Sequence, residues 1–422
     1  MKRPVMFTQA DRDLAEMLFA EVARNTSASG GGVCRPSYGR NETIAWKLVA
    51  EAAALRGLLT RADAAGNLVF STDVSTVEYG QRATWIGSHL DSVPNGGNYD
   101  GLAGVVAALL IVAKAKERKL DVPLVGLGLR GEESAWFGTP YLGSKALLGK
   151  LDDQDFLRKR RAALDGSSTR MGATLADCMR DMDGNPARME EGALVACAQI
   201  REFWELHIEQ GPLLVAQNKP VGVVTGIRGN VRASNARIRG KAGHSGTTPH
   251  NLRDDAVMSF VEAMTKLESR RRALEEFGDD LVFTCGIVGT NPAKHAITTI
   301  ADEVQLALDV RSLTDHHATQ FMAYAETCGI DLGEVVTTPS AKIAPEIWQR
   351  ASAACNRLGV DYEVMPSGAG HDAAVFQQAG VPAGMIFVRN ENGSHNPAEQ
   401  MSTDDFLLGC EVLWETLVEG PR

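Results

Sequence analysis

Apolar and polar positions fall into blocks along the chain, and their spacing changes from block to block. A Thr8-x-x-Asp11 pair precedes Leu14, Leu18 and Val22 at helical spacing, which predicts a capped amphipathic helix. A second helix is predicted over about 43–56, stopped by Gly57. Short apolar runs at 67–70 and 83–87 have the character of strands. The run 101–113 is apolar on every face and ends at Lys114 and Lys116, so it predicts a buried helix. It is too short to cross a bilayer, which takes about 20 residues. An apolar strand over 122–129 follows. Strand, loop, helix, strand is the pattern of an α/β sheet covered by helices.

After a polar, helical stretch at about 145–200, the pattern changes beyond Gln210-Gly211-Pro212. Runs at 221–227 and 231–239 predict paired strands about Gly229-Asn230. A long amphipathic helix (about 251–277), strands at 281–288 and 304–310, a helix near 316–328 and a short strand near 334–338 complete the block. Two strands plus helix, given twice, suggest a ferredoxin-like βαββαβ unit of α+β type. The earlier style resumes with a helix over 344–358. The expectation is an α/β domain with a central mixed sheet, in two segments (1–212 and 340–422), interrupted by a smaller domain at 213–339.

A chain of 422 residues suits this division, and 44% hydrophobic with 23% charged residues supplies a sizeable core. Lys plus Arg number 43 against 53 Asp plus Glu, a net charge of −10. That balance excludes a basic stripe for nucleic acid and disfavours anionic membranes. A small anionic substrate, which needs one or two Arg, stays open. Seven Cys without a close pair indicate neither a disulfide framework nor a thiolate zinc site. The opening MKRPVMFTQADRD lacks an apolar secretory core, so a cytoplasmic protein is expected.

Four polar clusters sit at strand ends or in Gly-rich loops, where α/β sheets place their sites. In the first, His89 and Asp91 lie two apart, and Asp91 could accept a proton from the His89 ring, leaving its other nitrogen for a metal. Gly96-Gly97 would let the chain turn and bring Asp100 back toward His89. The second cluster, Arg130-Gly131-Glu132-Glu133, puts adjacent carboxylates after an apolar strand. One of them could ligate metal while the other serves as a general base. The third is Glu205-Leu206-His207-Ile208-Glu209-Gln210, whose alternation puts His207 on one side of a strand with two carboxylates. The fourth is Gly393-Ser394-His395-Asn396-Pro397, with Gly370-His371-Asp372 ahead of it. His89, Asp100, Glu133, His207 and His395 form a three-His, two-carboxylate set, enough for two ions sharing one bridging carboxylate. Such ligands suit Zn, Mn, Co or Ni.

Together these motifs resemble the hydantoinase/carbamoylase-type amidases: N-carbamoyl-L-amino acid hydrolases, β-ureidopropionases and allantoate amidohydrolases. These belong to the dinuclear-metal aminoacylase and carboxypeptidase superfamily. The likeness spans nearly the whole chain, and includes His207-Ile208-Glu209-Gln210-Gly211 and Gly243-His244-Ser245-Gly246-Thr247-Thr248-Pro249. It implies one ion on Glu133, His395 and Asp100, and the other on His89, His207 and Asp100, with Asp100 bridging. It further implies that Asp91 orients His89 and that Glu132 is the general base. The inserted domain would be a lid and homodimer contact, bringing His244 to the scissile carbonyl and Arg311 to a substrate carboxylate. Gln210 and His371 match further substrate-contacting positions. The face pattern of 304–311 agrees on Arg311: Val304, Leu306, Leu308 and Val310 share one side, and Arg311 lies on the other.

Three segments depart from the family pattern. Thr298-Thr299-Ile300-Ala301-Asp302 replaces Asn-Val-Ile-Pro-Gly, so Thr298 lacks the side-chain amide that contacts substrate in relatives. Trp136 and Phe137 follow the paired glutamates in place of an Arg-Phe ending, and Arg389 opens a stretch where a Pro-led turn is commoner. The expected activity is metal-dependent hydrolysis of a linear amide or ureido C–N bond, an N-carbamoyl-L-amino acid being the leading substrate. Alternatives are allantoate amidohydrolase, an N-acyl-amino acid amidase, and a catalytically silent metal-binding protein.

Overall fold

The computed structural model describes residues 6–151, 156–161 and 172–419, so part of the polar stretch expected at 145–200 lies outside the described residues. Two compact units result. One comprises residues 1–225, 343–367 and 371–422, the other 226–342 with 368–370.

The first strands in chain order are β1 (Leu59–Ala62), β2 (Leu68–Ser71), β3 (Ala83–His89), β4 (Leu124–Leu129), β5 (Ile200–Ile208) and β6 (Val221–Ile227). Four more follow: β7 (Gly229–Arg239), β8 (Val282–Gly289), β9 (Glu303–Ser312) and β10 (Val335–Thr338). The chain then supplies β11 (Tyr362–Ser367) and β12 (Ala383–Val388). The helices used below are α1 (Gln9–Asn25), α2 (Arg40–Leu55), α3 (Leu102–Glu117), α4 (Ala256–Glu276) and α5 (Asp315–Thr327).

The main sheet runs β1-β2-β4-β3-β5-β12-β6, with β11 also paired to β6. Its centre, β4-β3-β5-β12, is parallel, and antiparallel strands flank it. Parallel strands are covered on both faces, which explains why β3, β4 and β12 are buried along their whole length. The α3 helix, buried from Leu102 to Ala115, packs against β3 and β4. From β3 the chain passes through α3 to β4 on one side, and then to β5 on the other. That reversal of strand order opens a crevice at the carboxyl ends, where such sheets place their sites.

The run 221–227 does not pair with 231–239 as its spacing suggests. It joins the main sheet antiparallel to β12. The reason lies in its composition: β6 is apolar on both faces and almost wholly buried, whereas β7 alternates and suits a sheet with one open face.

The second unit follows the order β7-α4-β8-β9-α5-β10, with sheet order β10-β7-β9-β8, antiparallel throughout. Val231, Ala233, Ile238, Val304, Leu306, Leu308 and Val310 meet Leu267, Phe321 and Met322 from the helices in a core of its own. Among the described residues no helix is long and apolar enough to cross a membrane.

Candidate active site

Four neighbouring parallel strands deliver the polar clusters to one end of the main sheet. His89 is the last residue of β3, and Arg130 to Glu133 follow β4 directly. His207 is the penultimate residue of β5, and β12 leads toward His395. Asp100 stands just before α3, held there by a left-handed Gly101 at φ +72. A Cβ on Gly101 would lie 2.5 Å from the His89 ring, so the close approach requires glycine.

Asp100 is the centre of the cluster. Its Oδ1 lies 3.3 Å from His89 Nε2 and 3.2 Å from His207 Nε2. Its Oδ2 lies 3.4 Å from His395 Nε2, which is itself 3.4 Å from Glu133 Oε1. His89, Asp100 and His207 form one triad of potential ligands, and Asp100, Glu133 and His395 a second, with Asp100 common to both.

The hydrogen bonds fix which nitrogens face inward. His207 Nδ1 donates to the Ile208 carbonyl at 2.9 Å, and its Nε2 accepts the Gly101 N–H at 3.2 Å. His89 turns Nδ1 toward Asp91, 3.3 Å from the carboxylate and 3.2 Å from the carbonyl oxygen. The two Nε2 atoms therefore converge at 3.5 Å with Asp100 Oδ1 beside them. Two imidazole nitrogens and a carboxylate oxygen gathered in a buried space make a donor set that fits divalent ions. A third grouping, Glu205, His207 and His371, is a support instead. Glu205 accepts from Ser88 Oγ at 2.6 Å and the Ala373 N–H at 2.9 Å, while His371 Nε2 meets Ser367 Oγ at 2.9 Å.

Asp91 organises the paired glutamates as well as His89. Its carboxylate accepts the Glu132 and Glu133 N–H groups at 3.0 Å each, and the Ser37 hydroxyl at 2.6 Å. Burial alone would raise its pKa, but His89 and these donors outweigh burial and hold it below the ordinary range. Glu132 is pushed well above the ordinary range by burial and by the neighbouring Glu133 and Asp372 charges, against the pull of His89. Glu133 is raised to about 7 by burial and by Asp100. His395 is raised to about 9, chiefly by its bond to Asp100. A buried carboxyl with strong proton affinity beside a potential metal site is suited to general acid–base work.

Gln210 is brought onto the same carboxylate, its Nε2 donating to Asp100 Oδ2 at 2.8 Å. His371 is buried, with its ring edge-on to His207 at 4.5 Å, and burial drives its pKa well below the ordinary histidine value.

His244, Thr298 and Arg311 lie in the second unit. His244 pairs with Thr299 across a two-stranded ribbon, and Ser245 N–H donates to the Thr298 carbonyl at 2.9 Å. The His244 Nδ1 accepts the Gly246 N–H at 3.1 Å, which leaves Nε2 as the ring's donor. Arg311 is on the open face of β9, with Asp309 accepting from Nε and Nη2 at 3.0 Å each and the Gly368 carbonyl accepting from Nη1 at 2.6 Å.

Two of the departures from the family pattern have packing roles. Trp136 is buried and donates its indole N–H to the Ser92 carbonyl at 2.8 Å. Arg389 is engaged by Asp405 and Asn218 at 2.8 Å each.

The profile of Peptidase family M20/M25/M40 matches residues 85–419. The chain belongs to that family. This M20 chain is 34% identical over 95% of its length to an N-carbamoyl-L-amino acid amidohydrolase of Geobacillus stearothermophilus, covering 96% of that protein. It is 30% identical to the allantoate amidohydrolase of Escherichia coli, over 91% of this chain and 92% of the relative. A hydantoinase/carbamoylase family amidase from Burkholderia ambifaria superposes with a TM-score of 0.80 at 26% identity, covering 98% of both chains. Within M20 the protein is thus a metal-dependent amidohydrolase of the hydantoinase/carbamoylase branch.

Sequence reasoning missed the supports. Glu42 of α2 forms a buried ion pair with Arg130 and accepts the Gly131 N–H at 3.0 Å, which holds the loop before Glu132. Glu399 accepts the Tyr99 and Asp100 N–H groups at 2.8 and 3.2 Å, and shares Ser394 Oγ with Asp100 at 2.6 Å on each side. Gly97 gave a partial signal, because a Cβ there would lie 2.0 Å from Glu399.

Proposed function

We propose that this M20 amidohydrolase uses two divalent ions to cleave the C–N bond of a linear ureido or amide group. An N-carbamoyl-L-amino acid with a free carboxylate is the preferred substrate. The observation that carries this reading is Asp100, shared between a buried triad and a second triad whose His395 is exposed, with the buried Glu132 next to Glu133 in the chain. Ions held by His89, His207 and Asp100, and by Asp100, Glu133 and His395, would supply Lewis acidity toward water and the scissile carbonyl. Glu132 takes a proton from the attacking water and returns it to the leaving nitrogen, a task suited to its raised proton affinity. Asp91 keeps His89 in the tautomer that presents Nε2. Gln210 orients Asp100 and reaches substrate, while His371, held neutral by burial, lines the same site.

His244 donates its Nε2 proton to the developing oxyanion. Arg311 pairs with the substrate carboxylate, and Thr298, with a hydroxyl where relatives have an amide, adjusts the acyl side. The second unit acts as a lid and as the contact of a homodimer, the latter supported by the exposed Ile287 and Val288 on its edge strand β8. Water adds across the C–N bond, and an N-carbamoyl substrate yields the amino acid, carbon dioxide and ammonia.

The likeness to an allantoate amidohydrolase favours a second reading, a ureido acid without an amino-acid side chain. A hydrolysis panel of N-carbamoyl amino acids, N-acyl amino acids and allantoate after metal reconstitution separates the two. Ammonia release with N-carbamoyl-L-amino acids is expected. Full metal loading without turnover of any member would favour a silent metal-binding protein.

A further inference from the structure

Arg35 is wholly buried, with no exposed surface. A desolvated guanidinium is costly and is usually matched by a carboxylate. Here its donors go to neutral oxygens instead. Nε donates to the Leu90 carbonyl at 2.8 Å, and Nη1 to Asn98 Oδ1 at 3.1 Å. Nη2 reaches the Asn98 and Asp100 carbonyls at 3.4 Å each. The backbone of Arg35 is tied to the same loop: its N–H donates to Ser92 Oγ, and its carbonyl accepts the Ser92 N–H, both at 3.0 Å. Asn98 in turn donates to the Phe19 carbonyl of α1 at 2.9 Å.

These acceptors sit at the two ends of one loop. Leu90 and Ser92 flank Asp91, next to His89, while Asn98 and Asp100 form the far end. We propose that Arg35 is a positioning residue that sets the distance between His89 and Asp100 by clamping both loop ends to one planar group. A planar fork fixes angle as well as distance, which a lysine ammonium cannot do. The same cation faces the acidic cluster. Burial works against its charge, and the carboxylates of Glu399, Asp100, Asp91 and Glu133 work for it. Partners outside the ligand shell typically change metal affinity by about 10–100-fold, so the effect should be measurable.

The inference rests on the two-ion reading above, and the test separates the two. Zinc affinity and stoichiometry are measured by competition with a chromophoric chelator for the full chain and for Arg35→Met, Arg35→Lys and Asn98→Ala. Wild type should bind two zinc ions. Arg35→Met should bind about 10–100-fold more weakly, with Arg35→Lys recovering part of the loss. The cobalt(II)-substituted protein should show a shifted visible band in Arg35→Met, which a general loss of stability does not produce. The rise in thermal midpoint on adding zinc should also shrink, whereas a role confined to folding would lower the midpoints with and without zinc equally. Zinc affinity within twofold of wild type in folded Arg35→Met overturns the proposal. If that variant does not fold, unchanged affinity in both Arg35→Lys and Asn98→Ala does so. A wild type that binds no zinc overturns the two-ion reading together with it.

Discussion

At Gly101 the backbone takes φ +72, and a Cβ would come within 2.5 Å of the His89 ring. The next turn begins α3, so a shift there moves Asp100, the residue common to both triads. Gly101→Ala should cost more than about 1 kcal/mol of stability from the positive φ alone. It should also weaken zinc binding, because the ring and Asp100 must move apart. Denaturant unfolding and chelator competition on the same variant check both effects, and an alanine variant with wild-type values would remove the steric argument. Glu132 makes a contrasting case. Glu132→Gln keeps the shape and the Asp91 bond to the backbone N–H but removes the carboxyl group that the proposed reaction uses as its base. Turnover should fall about 100-fold or more while metal content stays at the wild-type level. Retained activity would exclude Glu132 as the base. His89, Asp91, Asp100, Glu132 and Glu133 were legible in the sequence because short spacings keep chemically related groups together. Arg35, Ser37 and Glu399 were not, since each acts on groups more than fifty residues away in the chain and carries no local pattern.

At the scale of elements, α1 and α3 are joined by a buried charge pair. Lys114 Nζ lies 2.8 Å from Asp11 Oδ2, and Arg56 of the turn after α2 lies 3.1 Å from Asp11 Oδ1. The sequence marked Asp11 as part of a cap and Lys114 as the end of an apolar run; it gave no sign that they meet. Burial would raise the Asp11 pKa, but Lys114 and the Thr8 donors outweigh it and hold the carboxyl below its ordinary 3.8. A group with a depressed folded pKa contributes stability that is present above the unfolded value and lost as pH falls through the folded one. Lys114→Met should cost about 3 kcal/mol near neutral pH, since it leaves Asp11 buried with one cation fewer. The gap between wild type and variant should start to close as pH falls below about 4 and go on closing through the lower folded pKa, below which Asp11 is protonated in both. Urea unfolding at pH 7 and pH 3 measures this directly. An undiminished gap at pH 3 would mean that packing of the Lys114 stem, not charge, is responsible. Element type was mostly readable from periodicity, whereas pairing was not. Both β6 and β7 look like strands, and only the burial of both faces of β6 assigns it to the main sheet.

At the scale of the molecule, each unit has its own apolar core, but the acidic cluster belongs to one of them. The carboxylates of Asp91, Asp100, Glu132, Glu133 and Glu399 are all buried within the unit that carries the main sheet. Bound ions offset their mutual repulsion, so removing ions should destabilise that unit selectively. Ligand held at 1,000 times its dissociation constant stabilises by about 4 kcal/mol, which sets the scale of the loss. Stripping the protein with a chelator should therefore lower the thermal midpoint, and zinc should restore it. Hydrogen exchange tells where the loss occurs. Amides of β3 and β5, which carry His89 and His207, should lose protection in the stripped protein. Amides of α4, β7 and β9, whose core contains Leu267, Val304 and Phe321, should keep theirs. Equal loss in both units would show that the ions stabilise the chain through something other than this cluster, whereas loss confined to the main sheet ties the stability of the fold to the carboxylate shared by its two triads of potential ligands.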